Sequence, residues 1–154
     1  MAVRLRIASA DDAPLVYQIM QAAFEEYRGV LNPPSGVHAE TVDDVIRAMQ
    51  EGGAVLAWLG DQAVGSARYA FHGKSCYIGR VSVLPQARGQ GIASAMMTYI
   101  EGIAREHGCT WMEIAVREVL ESNVRLYERL GYRVTEVYEH PSGGSMVVTM
   151  VKTL

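Results

Sequence analysis

Apolar residues recur along this chain in two rhythms, and the switches between them mark its elements. Residues 3–8 alternate Val, Leu and Ile with arginines, which predicts a half-exposed strand. Residues 9–12 carry helix-start chemistry, and Pro14 is tolerable only in a first turn. Ala13, Val16, Met20, Ala23, Phe24 and Tyr27 then fall at helical spacing, so a first helix is expected to run to about residue 27. Residues 28–38 hold Gly29, Asn32, Pro33, Pro34, Ser35 and Gly36, a loop composition long enough to serve binding. A second helix over 40–50 places Val42, Val45, Ile46 and Met49 on one side, and Gly52-Gly53 stops it. Residues 54–59 and 63–71 form a hairpin through Gly60-Asp61, and Gly73-Lys74 turns the chain into a fourth strand over 75–84.

The second half repeats these rhythms. Ile92, Met96, Tyr99, Ile100 and Ile103 share one face of a third helix over 92–105, with His107 and Gly108 as its stop. A fifth strand over 109–116 sends Trp111, Glu113 and Ala115 one way and Met112, Ile114 and Val116 the other. A fourth helix covers 121–130 and ends at Gly131; strands over 132–138 and 146–152 follow, joined across His140-Pro141-Ser142-Gly143-Gly144. The order is β-α-α-β-β-β-α-β-α-β-β. Hairpins imply antiparallel pairing, while the strand–helix–strand unit over 77–116 implies one parallel pair by right-handed crossover. The expectation is an α/β (α+β) fold, a mixed, mostly antiparallel sheet of about seven strands flanked by four helices, in a single domain spanning 1–154.

The chemistry concentrates between the fourth strand and the third helix, in Gln86-Ala87-Arg88-Gly89-Gln90-Gly91-Ile92-Ala93. A helix start leaves its first N–H groups without intrahelical partners and carries partial positive charge. Glycines let a phosphate approach those groups, and Arg88 offers a planar fork of donors. The stretch therefore reads as a diphosphate cradle. A Walker-type loop is excluded because no Lys-Ser/Thr follows the glycines. A dinucleotide fold is disfavoured, since Ser94 stands where its third glycine would be and the stretch lies past mid-chain. A third pattern, Q/R-x-x-G-x-G/A, is filled by Gln86, Gly89 and Gly91. At these residues the sequence resembles the GNAT acyl-CoA N-acetyltransferase superfamily, whose motif of this form holds the pyrophosphate of coenzyme A. The element order resembles the GNAT fold across nearly the whole chain. The resemblance implies fourth and fifth strands that splay apart at one end to admit acetyl-CoA.

Composition narrows the picture. The chain has 154 residues, 49% of them apolar, and a net charge of −3. It can bury a core, disorder is not expected, and the lack of a basic run argues against a nucleic-acid surface. No apolar run reaches membrane-spanning length and no leader-like signal opens the chain, so a soluble cytoplasmic protein with no membrane partner is expected. Cys76 and Cys109 sit in apolar strand patterns and read as structural thiols, with no metal site.

Amide synthesis from a thioester needs a held donor, a neutral amine, an oxyanion donor and a proton for the leaving thiolate. The resemblance places Gln86, Arg88, Gly89, Gln90, Gly91 and Ala93 around the pyrophosphate, and the backbone of residues 81–83, Val81 and Val83 included, along the pantetheine arm. It also makes the N–H near Val81 the oxyanion donor. Asn123 and Tyr127, four residues apart, share a helix face. The stretch from Asn123 to Tyr132 resembles the family's second motif, which implies Tyr127 as the acid for the thiolate and Asn123 as a cofactor contact. Asn123 stands one helical turn before Tyr127, where many members of the family leave about two. For the amine's proton the candidates are Glu26, His38, His72, Glu113 and His140, with Glu113 first because it lies on the splaying fifth strand. The expected reaction transfers acetyl from acetyl-CoA to a primary amine of a small molecule or peptide by direct attack in a ternary complex. The alternatives are a non-catalytic acyl-CoA-binding or sensing module and a nicotinamide-binding protein. The last hairpin also offers an edge for a homodimer.

Overall fold

A computed structural model describes residues 2–154. Seven strands build one sheet: β1 (Val3–Ile7), β2 (Gly53–Leu59), β3 (Gln62–His72), β4 (Ser75–Val83), β5 (Trp111–Arg117), β6 (Arg133–Glu139) and β7 (Met146–Thr153). Four α-helices flank it: α1 (Ala13–Phe24), α2 (Val42–Glu51), α3 (Ile92–Glu106) and α4 (Glu121–Arg129). The strand order is β1-β2-β3-β4-β5-β7-β6. Every neighbouring pair is antiparallel except β4 with β5, which the α3 crossover makes parallel. Fold class and element order match the expectation, and the strand and helix ends shift by a residue or a few. Helix one gives way to a 3-10 turn at Glu25–Tyr27, and the 28–38 loop contains a second such turn at Gly36–Ala39.

The middle of the sheet is buried on both sides, and β2 shows why its sequence is an unbroken apolar run. Ala54 and Leu56 face one core with Val16, Met20 and Val45 of α1 and α2. Val55 and Ala57 face the other, with Met96, Met97 and Ile100 of α3. α2 starts on a reciprocal cap: Thr41 Oγ1 accepts from the Asp44 N–H at 3.2 Å, and Asp44 Oδ2 accepts from the Thr41 N–H at 2.8 Å. In β5 the alternation is as expected, with Met112, Ile114 and Val116 in the α3-side core. Cys76 and Cys109 are free and buried, and burial pushes the Cys76 thiol up to about 12, which leaves it unreactive.

β4 carries one residue too many for its partner. Ser66 pairs with Ser82 and Arg68 with Gly79, so Arg80 and Val81 together lie opposite Ala67. Arg80 absorbs this bulge at φ +50°, left-handed backbone that costs a side-chain-bearing residue about 1 kcal/mol. The parallel ladder to β5 runs from Ser75–Trp111 to Ile78–Ile114 and stops there, two residues before the bulge at Arg80. Beyond that point the inner edges of β4 and β5 separate.

One buried charge ties the far side of the sheet to α3. Glu101 accepts from Lys152 Nζ and from the Tyr132 hydroxyl, both at 2.9 Å, with its side chain 5% exposed. Removing one partner strands the other in a dry environment. Lys152→Met should therefore cost about 2 kcal/mol, below the fully buried range because the lysine side chain is 26% exposed. The urea midpoint measures this; an unchanged midpoint would contradict the assignment.

Candidate active site

The separated strands open a cleft of about 1510 Å³. Its walls are Gly79, Arg80, Val81 and Val83 on β4, Ile114 to Arg117 on β5, the start of α3, the inner face of α4, and the loop after α1. On its outer side β4 stays paired with β3, and β5 with β7. The inner edges past Ile78 and Ile114 thus leave backbone groups open to an extended ligand, in the way an added strand would use them.

The start of α3 forms one end of the cleft. The first helical bond there is Ala95 N–H to the Gly91 carbonyl at 3.0 Å, and Gly91 caps the helix with no side-chain bond. The N–H groups of Ile92, Ala93 and Ser94 are left to an outside acceptor. Gly89 and Gly91 have φ of +78° and +77°. A Cβ built on either glycine meets no atom within 4 Å, so the space above the turn is open. An anion of phosphate size fits that arrangement of unspent donors and open space.

Arg88 departs from expectation. Its guanidinium is engaged already: Nη1 donates to Glu26 Oε2 at 2.6 Å, Nη2 to the Ala23 carbonyl at 3.0 Å, and Nε to the Val83 carbonyl at 3.2 Å. The side chain lines the cleft and at the same time braces the turn against the end of α1. Gln86 and Gln90 are exposed and lie outside the cleft lining, whereas Val81, Val83, Gly89, Gly91 and Ala93 line it.

Tyr127 lines the cleft from α4 with its ring buried. Burial, with Tyr27 nearby, holds its phenol above the ordinary value, so it keeps its proton at neutral pH. Asn123 also lines the cleft, and its amide reaches the Tyr27 hydroxyl; burial raises that phenol while the contact with Asn123 works against the rise. Asn123 therefore links α4 to the end of α1.

The base candidates scatter. Glu113 is half-buried beside Tyr77 and outside the cleft lining. Glu26 lines the cleft but is bound to Arg88. His72 is exposed at the β3–β4 turn. Both ring nitrogens of His38 are buried without a partner among the described residues, away from the cleft lining. His140 lines the cleft, yet its Nδ1 accepts from the Ser142 N–H at 3.1 Å. In the neutral ring that places the proton on Nε2, which makes it a donor and not a base.

Sequence reasoning passed over a group of arginines at the other end of the cleft. Arg68 Nη1 and Nη2 bond to Glu40 at 2.5 and 3.1 Å, and Arg80 Nε bonds to the same carboxylate at 2.7 Å. Arg117 on β5 donates through Nη1 to the Pro33 carbonyl at 2.8 Å and to Ser145 Oγ at 3.2 Å. The available signal was Gly79, an isolated glycine inside a strand pattern, which marks a bulge and hence an unusual neighbour in Arg80.

Comparison with known proteins places this arrangement. The profile of the acetyltransferase (GNAT) family matches residues 15–132. The chain belongs to that family. Among characterised relatives it is 34% identical over 61 residues to the thialysine N-epsilon-acetyltransferase of Sus scrofa, a match covering 40% of this chain and 36% of that enzyme. The mouse enzyme of the same name matches at 34% over 59 residues, 38% of this chain and 35% of its own length. The chain thus aligns with only about a third of these relatives. Among solved structures, the PaiA N-acetyltransferase of Thermoplasma acidophilum in complex with coenzyme A superposes at a TM-score of 0.83 with 14% identity, covering 100% of both chains. A putative N-acetyltransferase of Lactobacillus plantarum gives 0.77 at 26% identity, covering 100% of this chain and 99% of its own. These likenesses confirm the fold. Among the described residues no helix is long and apolar enough to cross a membrane.

The Glu40 network gives a pH signature. Burial alone would raise the Glu40 carboxyl; hydrogen bonds and charge from Arg68 and Arg80 more than offset it, so the group lies below its ordinary value. A lowered carboxylate contributes stability that is complete above its unfolded pKa and is lost as pH falls through the folded one. Wild type should therefore be more stable than Glu40→Gln at pH 7, and the gap between their urea midpoints should close in acid. A gap independent of pH would contradict this.

Proposed function

We propose that this acetyltransferase moves the acetyl group of acetyl-CoA to a primary amine of a small molecule or peptide, by direct attack with both substrates held in the cleft. One observation carries the reading: a helix start with unspent N–H donors stands at one end of a gap between two strand edges. That combination suits a ligand with a diphosphate at one end and an extended amide-bearing arm at the other. The N–H groups of Ile92, Ala93 and Ser94 would hold the diphosphate, with Gly89 and Gly91 leaving room for it. The open edge of β4 past Ile78 would run alongside the arm. Similar structures solved with coenzyme A or acetyl-CoA bound support the same assignment.

Acetyl-CoA supplies a thioester, whose carbonyl accepts the amine and whose thiolate then departs. The chain's own groups divide the remaining work. A backbone N–H at Val81, on the unpaired edge of β4, would donate to the oxyanion. Tyr127 keeps its proton at neutral pH and gives it up only to a strong base. A departing thiolate, with an ordinary pKa of about 8.5, becomes more basic in the same dry surroundings, which brings the two within reach of proton transfer. Because Glu113 does not border the cleft, the amine's proton is routed to water within it and not directly to that carboxylate. Asn123 acts through Tyr27, by holding α4 and the end of α1 in register.

A thiol-release assay with acetyl-CoA and a broad amine panel tests this. Tyr127→Phe should lower kcat about 10²-fold, within the range for losing a general acid, with CoA affinity changed far less. An unchanged kcat would remove Tyr127 from the mechanism. Tight CoA binding with no product from any amine would instead favour an acyl-CoA-binding module.

A further inference from the structure

The acceptor end of the cleft has more positive charge than the protein neutralises. Arg68, Arg80 and Arg117 all line it, and among the described residues the only carboxylate bonded to any of them is Glu40. Glu40 itself sits behind the wall, outside the lining. Arg117 is held by neutral groups alone, the Pro33 and Pro34 carbonyls and Ser145 Oγ. The other acids lining the cleft stand apart from this cluster. Glu26 is bound to Arg88, Glu121 lies 3.6 Å from Arg125, and Glu51 is exposed on the last residue of α2. Glu113 lies behind Tyr77, beyond the lining.

Arg80 and Arg117 project from the two strands that part, one on each side of the gap. They are close enough to feel one another: burial, and after it the charge of Arg80, pulls the Arg117 guanidinium below its ordinary value. Arg80 spends only its Nε within the protein among the described residues, and its side chain is 34% exposed. Its Nη2 lies over Gly36, where an added Cβ would come within 3.1 Å, so the loop leaves room for this head group. Two like charges lining one half-dry cleft repel, and a bound anion relieves that repulsion. The two Nη groups of Arg80 make no bond among the described residues and form the fork that suits a planar carboxylate, while Arg117, whose Nη groups hold the Pro33 and Pro34 carbonyls and Ser145, adds its charge from the facing strand.

We propose that the acceptor is an amine that also carries a carboxylate, and that Arg80 and Arg117 bind this carboxylate from opposite walls of the cleft. The carboxylate fixes which end of the acceptor lies deep and directs the amine along β4 toward the oxyanion donor. A free amino acid and a peptide ending in a free carboxylate share this chemistry.

This inference rests on the acetyl-transfer reading, and two measurements separate the failures. The first is kcat/KM for matched amines with and without the carboxylate, lysine against 1,5-diaminopentane and a lysyl dipeptide against its C-terminal amide. Wild type should favour the carboxylated member at least tenfold. Arg80→Asn, with asparagine chosen because it tolerates left-handed backbone, should reduce that preference at least fivefold, and Arg117→Lys should retain part of it. The free amino acid and dipeptide arms tell the two sources apart. The second measurement does not need turnover: CoA-loaded protein is titrated with N-acetyl amino acids and with their decarboxylated counterparts. Carboxylated members should bind at least tenfold tighter, and Arg80→Asn should remove the difference. No carboxylate preference in either experiment, or an equal loss for both members in the variant, overturns the proposal. Failure of CoA itself to bind would overturn the acetyl-transfer reading instead.

Discussion

An extra residue in one strand decides where this protein can have a site. Arg80 and Val81 share a single partner on β3, and hydrogen bonding to β5 ends just before them, at Ile78. Two parallel strands that would otherwise zip together along their length instead leave their inner edges open. A buried edge with unpaired N–H and C=O groups is costly unless something bonds to it. Here the unpaired edges face a solvent-filled cleft, so an extended ligand can replace water there at small cost. The helix start at Gly91 lies where the same β4 backbone emerges from the sheet, so the crossover that makes β4 and β5 parallel also brings the unspent N–H groups of α3 to the mouth of the gap.

The arginines around the cleft do different jobs. Arg88 bonds to Glu26 and to two carbonyls, which ties the glycine turn to the end of α1. Arg68 and one nitrogen of Arg80 use Glu40 to pin the chain between α1 and α2 against the sheet. Arg117 does the same for the Pro33–Pro34 segment through neutral carbonyls. The walls are thus braced by charged groups that also line the cleft.

Much of this was legible in the chain, for identifiable reasons. The β2 run, the α3 stripe and the alternation in β5 follow from burial periodicity, and the structure reproduces each. Gly89 and Gly91 were readable because their φ values near +78° demand glycine wherever a tight strand-to-helix turn is needed. Side-chain roles were less legible. Arg88 looks like a phosphate ligand in sequence, because its partner Glu26 lies 62 residues away and no local pattern announces the pair. Glu113 looks like a cleft residue because its strand splays, yet the splay begins one residue later, past Ile114. Arg80 and Arg117 belong to ordinary strand patterns, and only the bulge and the separation of the strands bring both to one cleft.

A proton–nitrogen correlation NMR titration would probe the backbone amides at the start of α3. Coenzyme A should shift the N–H signals of Gly91, Ile92, Ala93 and Ser94 downfield, as hydrogen bonding to phosphate does, and pantetheine, which lacks the diphosphate, should leave those four in place while still moving residues of the β4 edge. If coenzyme A left these amides unmoved, or pantetheine shifted them equally, the diphosphate would not be held by this helix start.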